Sequence, residues 1–477
     1  MSVASNRLLL GVATCAYAVG FGALSVLRHH AYETGRFDLG NMVQAVWSTA
    51  HGDPLQVTNL HGEQTSRLAS HVDPILVLFA PLWLVWPSPA VLLVVQAIAI
   101  ALGSIPVFLL ARKHLGSERV ALGFALAYLL YPATQWLTLN EFHPVALACP
   151  LLLAAFWFLD EERLLPFAAC AVFAAATKEE IALVVAGMGV WYGVTRKRWT
   201  LGAGIALAGV AVSVIAVELV IPHFNQGADA SFFGRYREVG GSAGGILRTA
   251  VTDPLTLFRV AFDQRGLTYL ASLLVPLALL PLGAPLALLP AVPELALNLL
   301  SSTRTQTSIH FHYTAGEIPA LFAAAIFAAK RLAPRHGFAT AGVAVVLAAN
   351  YALGAIPLWS AFPGGEDLQA HAWRVSEHDR VATRALRLLP DDAVVCASNS
   401  LGAHVSARRR VLSFPRLGDA TWIVADERSP GYLDRIAPLA YANALARLRR
   451  DRAWRLVFEE DGILVFRRES SVAADTP

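Results

Sequence analysis

Pro74-Ile75-Leu76-Val77-Leu78-Phe79-Ala80-Pro81-Leu82-Trp83-Leu84-Val85-Trp86-Pro87 is the stretch on which the topology of this chain turns. It is apolar from Ile75 to Trp86 but closed by proline at both ends, and it falls short of the roughly 20 residues that an α-helix needs to cross a bilayer core. Trp83 and Trp86 favour the depth of the membrane interface. We read the stretch as a helix that lies at the interface or dips into it. That the surroundings are a membrane follows from composition: of 477 residues 56% are hydrophobic and only 15% charged, where a soluble domain carries about 25% charged residues.

Working outward, about eleven apolar runs have spanning character, at 8–27, 90–111, 120–139, 145–159, 164–176, 181–194, 199–221, 267–282, 284–300, 314–329 and 338–358. The first reads as an uncleaved anchor rather than a signal peptide, because so many spans follow it. With 75–86 left out of the count and the N-terminus inside, three basic clusters fall on the cytoplasmic side: Arg112-Lys113-His114 with Arg119, Arg196-Lys197-Arg198, and Lys330-Arg331 with Arg335. The excess of lysine and arginine in cytoplasmic loops asks for this. Counting 75–86 as a full span would put the first two clusters outside. The expectation is a multi-pass membrane protein with its N-terminus in the cytoplasm. Its net charge of +3 is spread over short loops and argues against a nucleic-acid partner.

The same parity gathers the polar motifs on the opposite, outer face. They are the loop from Tyr32 to Pro74, Asn140-Glu141-Phe142-His143-Pro144, Thr177-Lys178-Glu179-Glu180, His310-Phe311-His312-Tyr313, and the loop from Pro222 to Gly266. The first loop holds Asp38, His51, Asp53, His61, Glu63, Arg67, His71 and Asp73, far more acid and base than a connector needs. The four cysteines lie mostly inside apolar runs, which argues against a disulfide framework or thiolate metal site. From 364 to about 469 the chain turns mixed and charged. A helical pattern at Asp379 to Leu389, short β-rich runs at Ala393–Cys396 and Thr421–Val424, a helical run near Tyr441 to Arg450 and a hairpin from Trp454 to Phe466 predict a small extracytoplasmic α/β domain. The expected organisation is a transmembrane domain over 1–363 with outer loops 28–89 and 222–266, the α/β domain over 364–469, and a disordered tail over 470–477.

Phe37-Asp38-Leu39-Gly40 with Gln44 and Trp47, His71 to Pro74, Pro106 with Leu109 to Arg112, Glu141-Phe142-His143, Lys178-Glu179-Glu180, and Asn298 to Ser302 leading to His312-Tyr313 together resemble a bacterial membrane-protein family, domain of unknown function 2079. The likeness covers nearly the whole chain. That family in turn resembles the C-type (GT-C) membrane glycosyltransferases. The resemblance implies a bacterial cytoplasmic (inner) membrane location, a helical membrane bundle, a sugar donor carried on a polyprenyl phosphate, an envelope glycan, lipid or protein as acceptor, and a catalytic acidic residue in the first outer loop.

On that reading Asp38 is the base that takes the acceptor's proton, or else an ordinary cap or loop aspartate. Glu141 and His143 would hold substrate, or join Asp38 around a divalent cation, though one short motif supplies too few ligands. Lys178 would neutralise a lipid phosphate while Glu179 or Glu180 positions it or the acceptor; mutual Lys–Glu pairing explains the same residues. His310, His312 and Arg304 would contact donor phosphate or sugar, or lie at the interface among lipid headgroups. The function implied is a membrane glycosyltransferase acting at the outer face. The alternatives are a transporter or flippase of lipid-linked glycans, and a non-catalytic envelope scaffold. Transporters usually bind near the bilayer midplane, often in repeated halves, and neither is visible here.

Overall fold

The computed structural model describes residues 3–228, 230–332, 338–355 and 374–469. The boundary expected at 363–364, the expected tail 470–477, Arg335 and the last run beyond 355 lie outside the described residues. The chain divides into two compact units, one from Met1–Ala23, Leu68–Ile75 and Val94–Gln369, the other from Leu24–Arg67, Leu76–Leu93 and Ala370–Pro477.

The first unit is helical. Among the described residues of the chain, three helices are long and apolar enough to cross a membrane: Ala4–His30, Ala90–Leu115 and Trp199–Phe224. A fourth counts if Glu118–Leu130 and Pro132–Leu139, bent by 46° at their junction, are taken as one span. The bend has a local cause, since the residue before a proline is pushed out of the α region and Tyr131 is extended at φ −65°, ψ 126°. Other expected spans are shorter apolar helices, among them Leu164–Ala175 and Ile181–Arg196. The run expected at 267–282 is not a continuous helix, whereas the one expected at 284–300 is the apolar helix Pro285–Leu300, which begins as 3-10 and continues as α. Ala278 and Leu279 take left-handed φ values of 52° and 57°, and the chain between Gln264–Leu274 and Val292–Leu300 is built from 3-10 turns around prolines. Such backbone is tolerated at membrane depth only where protein covers it. At the centre of the unit, Glu317–Arg331 is buried on nearly every face, as a helix apolar all round must be.

Ile181–Arg196 and Trp199–Ile215 pack closely because glycine lies at their contact. A Cβ on Gly202 would stand 2.5 Å from Gly193 Cα, and one on Gly209 would collide with the Ala182 carbonyl. Small residues let helix backbones approach where lipid supplies no hydrophobic drive between them. This pair carries two walls of the cavity described below.

In the second unit the chain forms a hairpin of β1 (Gln56–Thr58) and β2 (Gln64–Ser66), then a five-stranded sheet of β3 (Val395–Ala397), β4 (Val411–Ser413), β5 (Trp422–Asp426), β6 (Trp454–Glu460) and β7 (Ile463–Arg468). The order is β4-β3-β5-β7-β6. Both pairings of β3 are parallel and both pairings of β7 antiparallel. Side chains alternate across a strand, so Val395 and Ala397 join Val381, Ala385 and Val465 on one face, while Cys396 joins Ile423, Tyr441, Leu445 and Phe466 on the other. Helix Glu377–Leu386 covers the first face and Pro438–Leu448 the second. The expected hairpin turns at Asp461-Gly462, both at positive φ (48° and 82°), the conformation of a two-residue type I′ turn.

The stretch expected to lie at the interface is a 3-10 helix, Pro74–Phe79, followed by a short α-helix, Ala80–Val85. Trp83 is buried and Trp86 exposed.

A candidate site around Lys178

Lys178, Glu179 and Glu180 form the turn between Leu164–Ala175 and Ile181–Arg196. Three ionisable side chains in so apolar a neighbourhood are costly unless partnered, and each has a partner. Lys178 Nζ lies 2.5 Å from Glu180 Oε1 and 5.4 Å from the centre of the Tyr313 ring. Glu179 Oε1 is 2.8 Å from His71 Nδ1, and its Oε2 accepts the Val72 amide at 2.9 Å. Burial pulls Lys178 down, but the carboxylates of Glu180 and Glu179 outweigh it and raise the amine above the ordinary lysine value. Burial works against the Glu179 carboxylate too, and His71, Lys178 and the Val72 amide reverse it, lowering the group to about 2. Glu179 is a fixed anion that orients His71.

These residues border a cavity of about 220 Å³. Leu183, Val214, Val217, Phe232, Phe233, Ile246 and Leu297 give it apolar walls, and Arg235, Glu218, Glu294, Asn298 and Gln306 add polar groups. Glu294 is 3% exposed, and its Oε2 has no hydrogen-bond partner. Behind the lining runs a polar network. Asn298 Nδ2 donates to Glu317 Oε1 (2.9 Å) and to the Tyr313 carbonyl (3.0 Å), and Tyr269 donates its hydroxyl to Glu317 Oε2 (2.6 Å). The Ser302 amide and hydroxyl both donate to the Arg235 carbonyl (2.8 and 2.9 Å), which fixes the loop bearing Arg235.

Asn140 draws the other histidine motifs together. Its carbonyl lies 2.8 Å from His143 Nδ1, and its Oδ1 accepts the His312 amide at 3.1 Å. The His143 and His312 rings stack at 3.7 Å. Burial, and after it the charges of His143, Lys178, His71 and Arg235, push His312 well below the ordinary histidine value, so it serves as a neutral ring. Glu141 takes a positive φ of 51°, and its carbonyl accepts Gln96 Nε2 at 2.5 Å. His310 meets the edge of Trp136 and pairs with Ser308. Arg304 is exposed and is not among the residues that line the cavity. The arginine there is Arg235.

Asp38 belongs to the second unit. The stretch read as loop folds as a π-helical turn, Arg36–Gly40, a rare form often found at functional sites. Arg36 is 2% exposed, and its Nη2 donates to the Thr58 and Val411 carbonyls at 2.7 and 2.6 Å. Burial lowers that guanidinium to about 10. Leu39 is fully buried, and Gly40 leaves no room for a Cβ beside Ser406. Asp38 is half-buried and Phe37 41% exposed. Much of the Arg36–Gly40 pattern is thus explained by packing, and Asp38 and Phe37 are the members packing uses least.

Among the described residues no group of three or more histidine, cysteine, aspartate or glutamate side chains is placed to hold a metal ion. The expected set of Asp38, Glu141 and His143 is therefore not among groups so placed. The reading from sequence missed the place of His71, Asn298 and Gln306 in this site. Polar residues at the edge of an apolar run, as Asn298 is, were the available signal.

The family model described as predicted membrane protein (DUF2079) matches residues 28–465. No curated protein matches the chain. Among solved structures the fold is similar to that of ArnT from Cupriavidus metallidurans bound to undecaprenyl phosphate, with a TM-score of 0.56 at 14% identity over 100% of both chains. The same protein in its apo state gives 0.54 at 14% identity over 98% of both chains. The fold likeness agrees with the resemblance drawn from sequence.

Proposed function

This chain belongs to the DUF2079 family of predicted membrane proteins, and we propose that it is a membrane glycosyltransferase that takes a sugar from a polyprenyl-phosphate donor and passes it to an envelope acceptor at the outer membrane face. The observation that carries this reading is the Lys178 cavity. It combines apolar walls suited to a prenyl chain with two cations, Lys178 and Arg235, suited to its phosphate. The fold likeness to a protein crystallised with undecaprenyl phosphate supports the same donor class.

By charge the cavity is not a simple anion site. Against Lys178 and Arg235 stand the carboxyl groups of Glu179, Glu180, Glu218 and Glu294. A phosphate that takes Lys178 must displace Glu180, and the released carboxylate, with Asn298 and Gln306, is then available to sugar hydroxyls. We propose Asp38 as the base. The acceptor hydroxyl gives its proton to that carboxylate as its oxygen bonds to the anomeric carbon, and the bond from that carbon to the phosphate oxygen breaks, releasing polyprenyl phosphate with inversion. The spans expected beyond the three long helices are proposed to be the shorter apolar helices, with the N-terminus inside and the α/β domain outside.

Purified full-length protein incubated with a panel of polyprenyl-phosphate sugars tests the reading. A donor that binds only the folded form raises the melting temperature, and a competent acceptor then yields free polyprenyl phosphate. No stabilisation and no transfer across the panel would favour the flippase or scaffold readings.

A further inference from the structure

The three basic clusters of the sequence meet at a second cavity. It lies at the Arg196 end of Ile181–Arg196, which has Lys178 before its first residue. Sixteen helical residues at 1.5 Å each put about 24 Å between the two ends. The cavity measures about 490 Å³, and its polar lining includes His114 from the first cluster, Arg196 from the second, and Lys330 with Arg331 from the third.

Asp160, with a side chain only 1% exposed, is the anion that organises it. Its carboxylate lies 2.7 Å from Lys113 Nζ, 2.8 Å from His114 Nε2 and 2.6 Å from Arg196 Nη2. Lys113 is matched again by Glu161 at 2.6 Å. Arg331 donates to the Gly283 carbonyl, and the Lys330 ammonium has no hydrogen-bond or ion-pair partner among the described residues. Arg196, Lys330 and Arg331 therefore face one lining carboxylate, and positive charge is left over. The rest of the lining is largely apolar: the Trp191 and Phe327 rings stack at 5.9 Å, and Leu286 is 46% exposed.

We propose that this cavity binds a phosphate borne on an apolar chain, the headgroup of an anionic membrane lipid. Basic pockets between membrane helices recognise such headgroups. Lys330 and Arg331 take the phosphate, Arg196 adds the third charge on the support of Asp160, and the chain leaves along Leu286. The helices ending in Asp160, Arg196 and Arg331 are held together by the bound headgroup, so binding stabilises the fold.

Full-length protein in zwitterionic detergent is titrated with dioctanoyl phosphatidic acid while its melting temperature is followed, with inorganic phosphate and dioctanoyl phosphatidylcholine as parallel arms. The melting temperature should rise with phosphatidic acid and with neither comparison. Removing two cations, in Lys330→Gln/Arg331→Gln, should raise the half-saturating concentration roughly ten- to thirtyfold, while Lys178→Met leaves it unchanged. Lys330→Gln alone keeps the Arg331 contact with Gly283, and it should give a smaller shift in the same direction if the double variant does not fold. An equal response to inorganic phosphate or to phosphatidylcholine overturns the proposal. So does an undiminished response in the lysine variants, or its loss in Lys178→Met.

Discussion

Lys178 Nζ lies 2.5 Å from Glu180 Oε1 with both side chains largely buried, so the amine proposed to meet the donor phosphate is already neutralised. Glu180→Gln removes the competitor and should tighten polyprenyl-phosphate binding by roughly tenfold, the order of one charge-assisted hydrogen bond. Lys178→Met should weaken it by a similar factor. Lys178→Arg should keep part of the affinity, because a planar fork only partly replaces a point charge. Titration calorimetry giving the same affinity in all four proteins would confine Lys178 and Glu180 to a structural pair.

Glu179 has both oxygens occupied, by His71 and by the Val72 amide. Breaking a buried pair by deleting one partner costs about 3–5 kcal/mol, so Glu179→Ala should lower the melting temperature at neutral pH. The sign with pH follows from a carboxylate held at about 2 when folded against about 4.3 unfolded. Its stabilisation is full above about 4.3 and is lost as pH falls toward 2. The gap between wild type and variant should therefore close on acidification, and a constant gap would mean that lost packing, not charge, explains the variant.

If Asp38 accepts the acceptor's proton, Asp38→Asn keeps its size and loses basicity. Turnover should fall by about 10²- to 10⁴-fold, while donor affinity changes far less, because the base acts only in the transition state. Melting should shift by no more than about 1 kcal/mol. A folded, fully active Asp38→Asn protein would end the mechanism.

His378 bridges two carboxylates, with Nε2 2.9 Å from Asp426 and Nδ1 3.0 Å from Asp461, and Asp461 also pairs with Arg428. Burial lowers the imidazole, but the bonds and charges of Asp426 and Asp461 raise it on balance. A group raised on folding gives stability that is complete below its unfolded value of about 6.5 and is lost as pH climbs through the folded one. The second unit should accordingly melt lower as pH rises above about 6.5, and His378→Gln should flatten that slope in a calorimetric series.

The expected orientation predicts that an impermeant maleimide added to intact cells reaches a cysteine at Ser429 and misses one at Lys197, on a Cys15→Ser background. Labelling at Lys197 alone would invert the topology and move the Lys178 cavity to the cytoplasmic side.

What the sequence disclosed depended on how local the cause was. The α/β pattern after 374 and the hairpin from Trp454 to Phe466 were readable because strand alternation acts over a few residues. The run from 267 to 282 was misread as one helix, because hydropathy counts apolar residues and does not register the left-handed Ala278 and Leu279, while its neighbour holds as Pro285–Leu300. Lys178-Glu179-Glu180 was readable as costly charge that needed partners, and mutual Lys–Glu pairing stood as the alternative to a phosphate-binding role, with neither glutamate singled out. His71, more than a hundred residues upstream of Glu179, was not anticipated as a partner. Arg36 was given no role, because nothing near it in the chain shows that its acceptors include the carbonyl of Val411.

That last bond has a consequence for synthesis. Arg36 and Val411 are separated by 375 positions, and at about 5–20 residues per second the ribosome needs roughly 20–75 s to travel from one to the other. For most of that interval, from the synthesis of Pro74 onward, the first polar loop is complete, while the strand that supplies a carbonyl to its guanidinium does not yet exist. The loop therefore matures last although it is made early, and a nascent chain released before Val411 should leave Arg36 and Gln44 open to proteolysis that the finished protein resists.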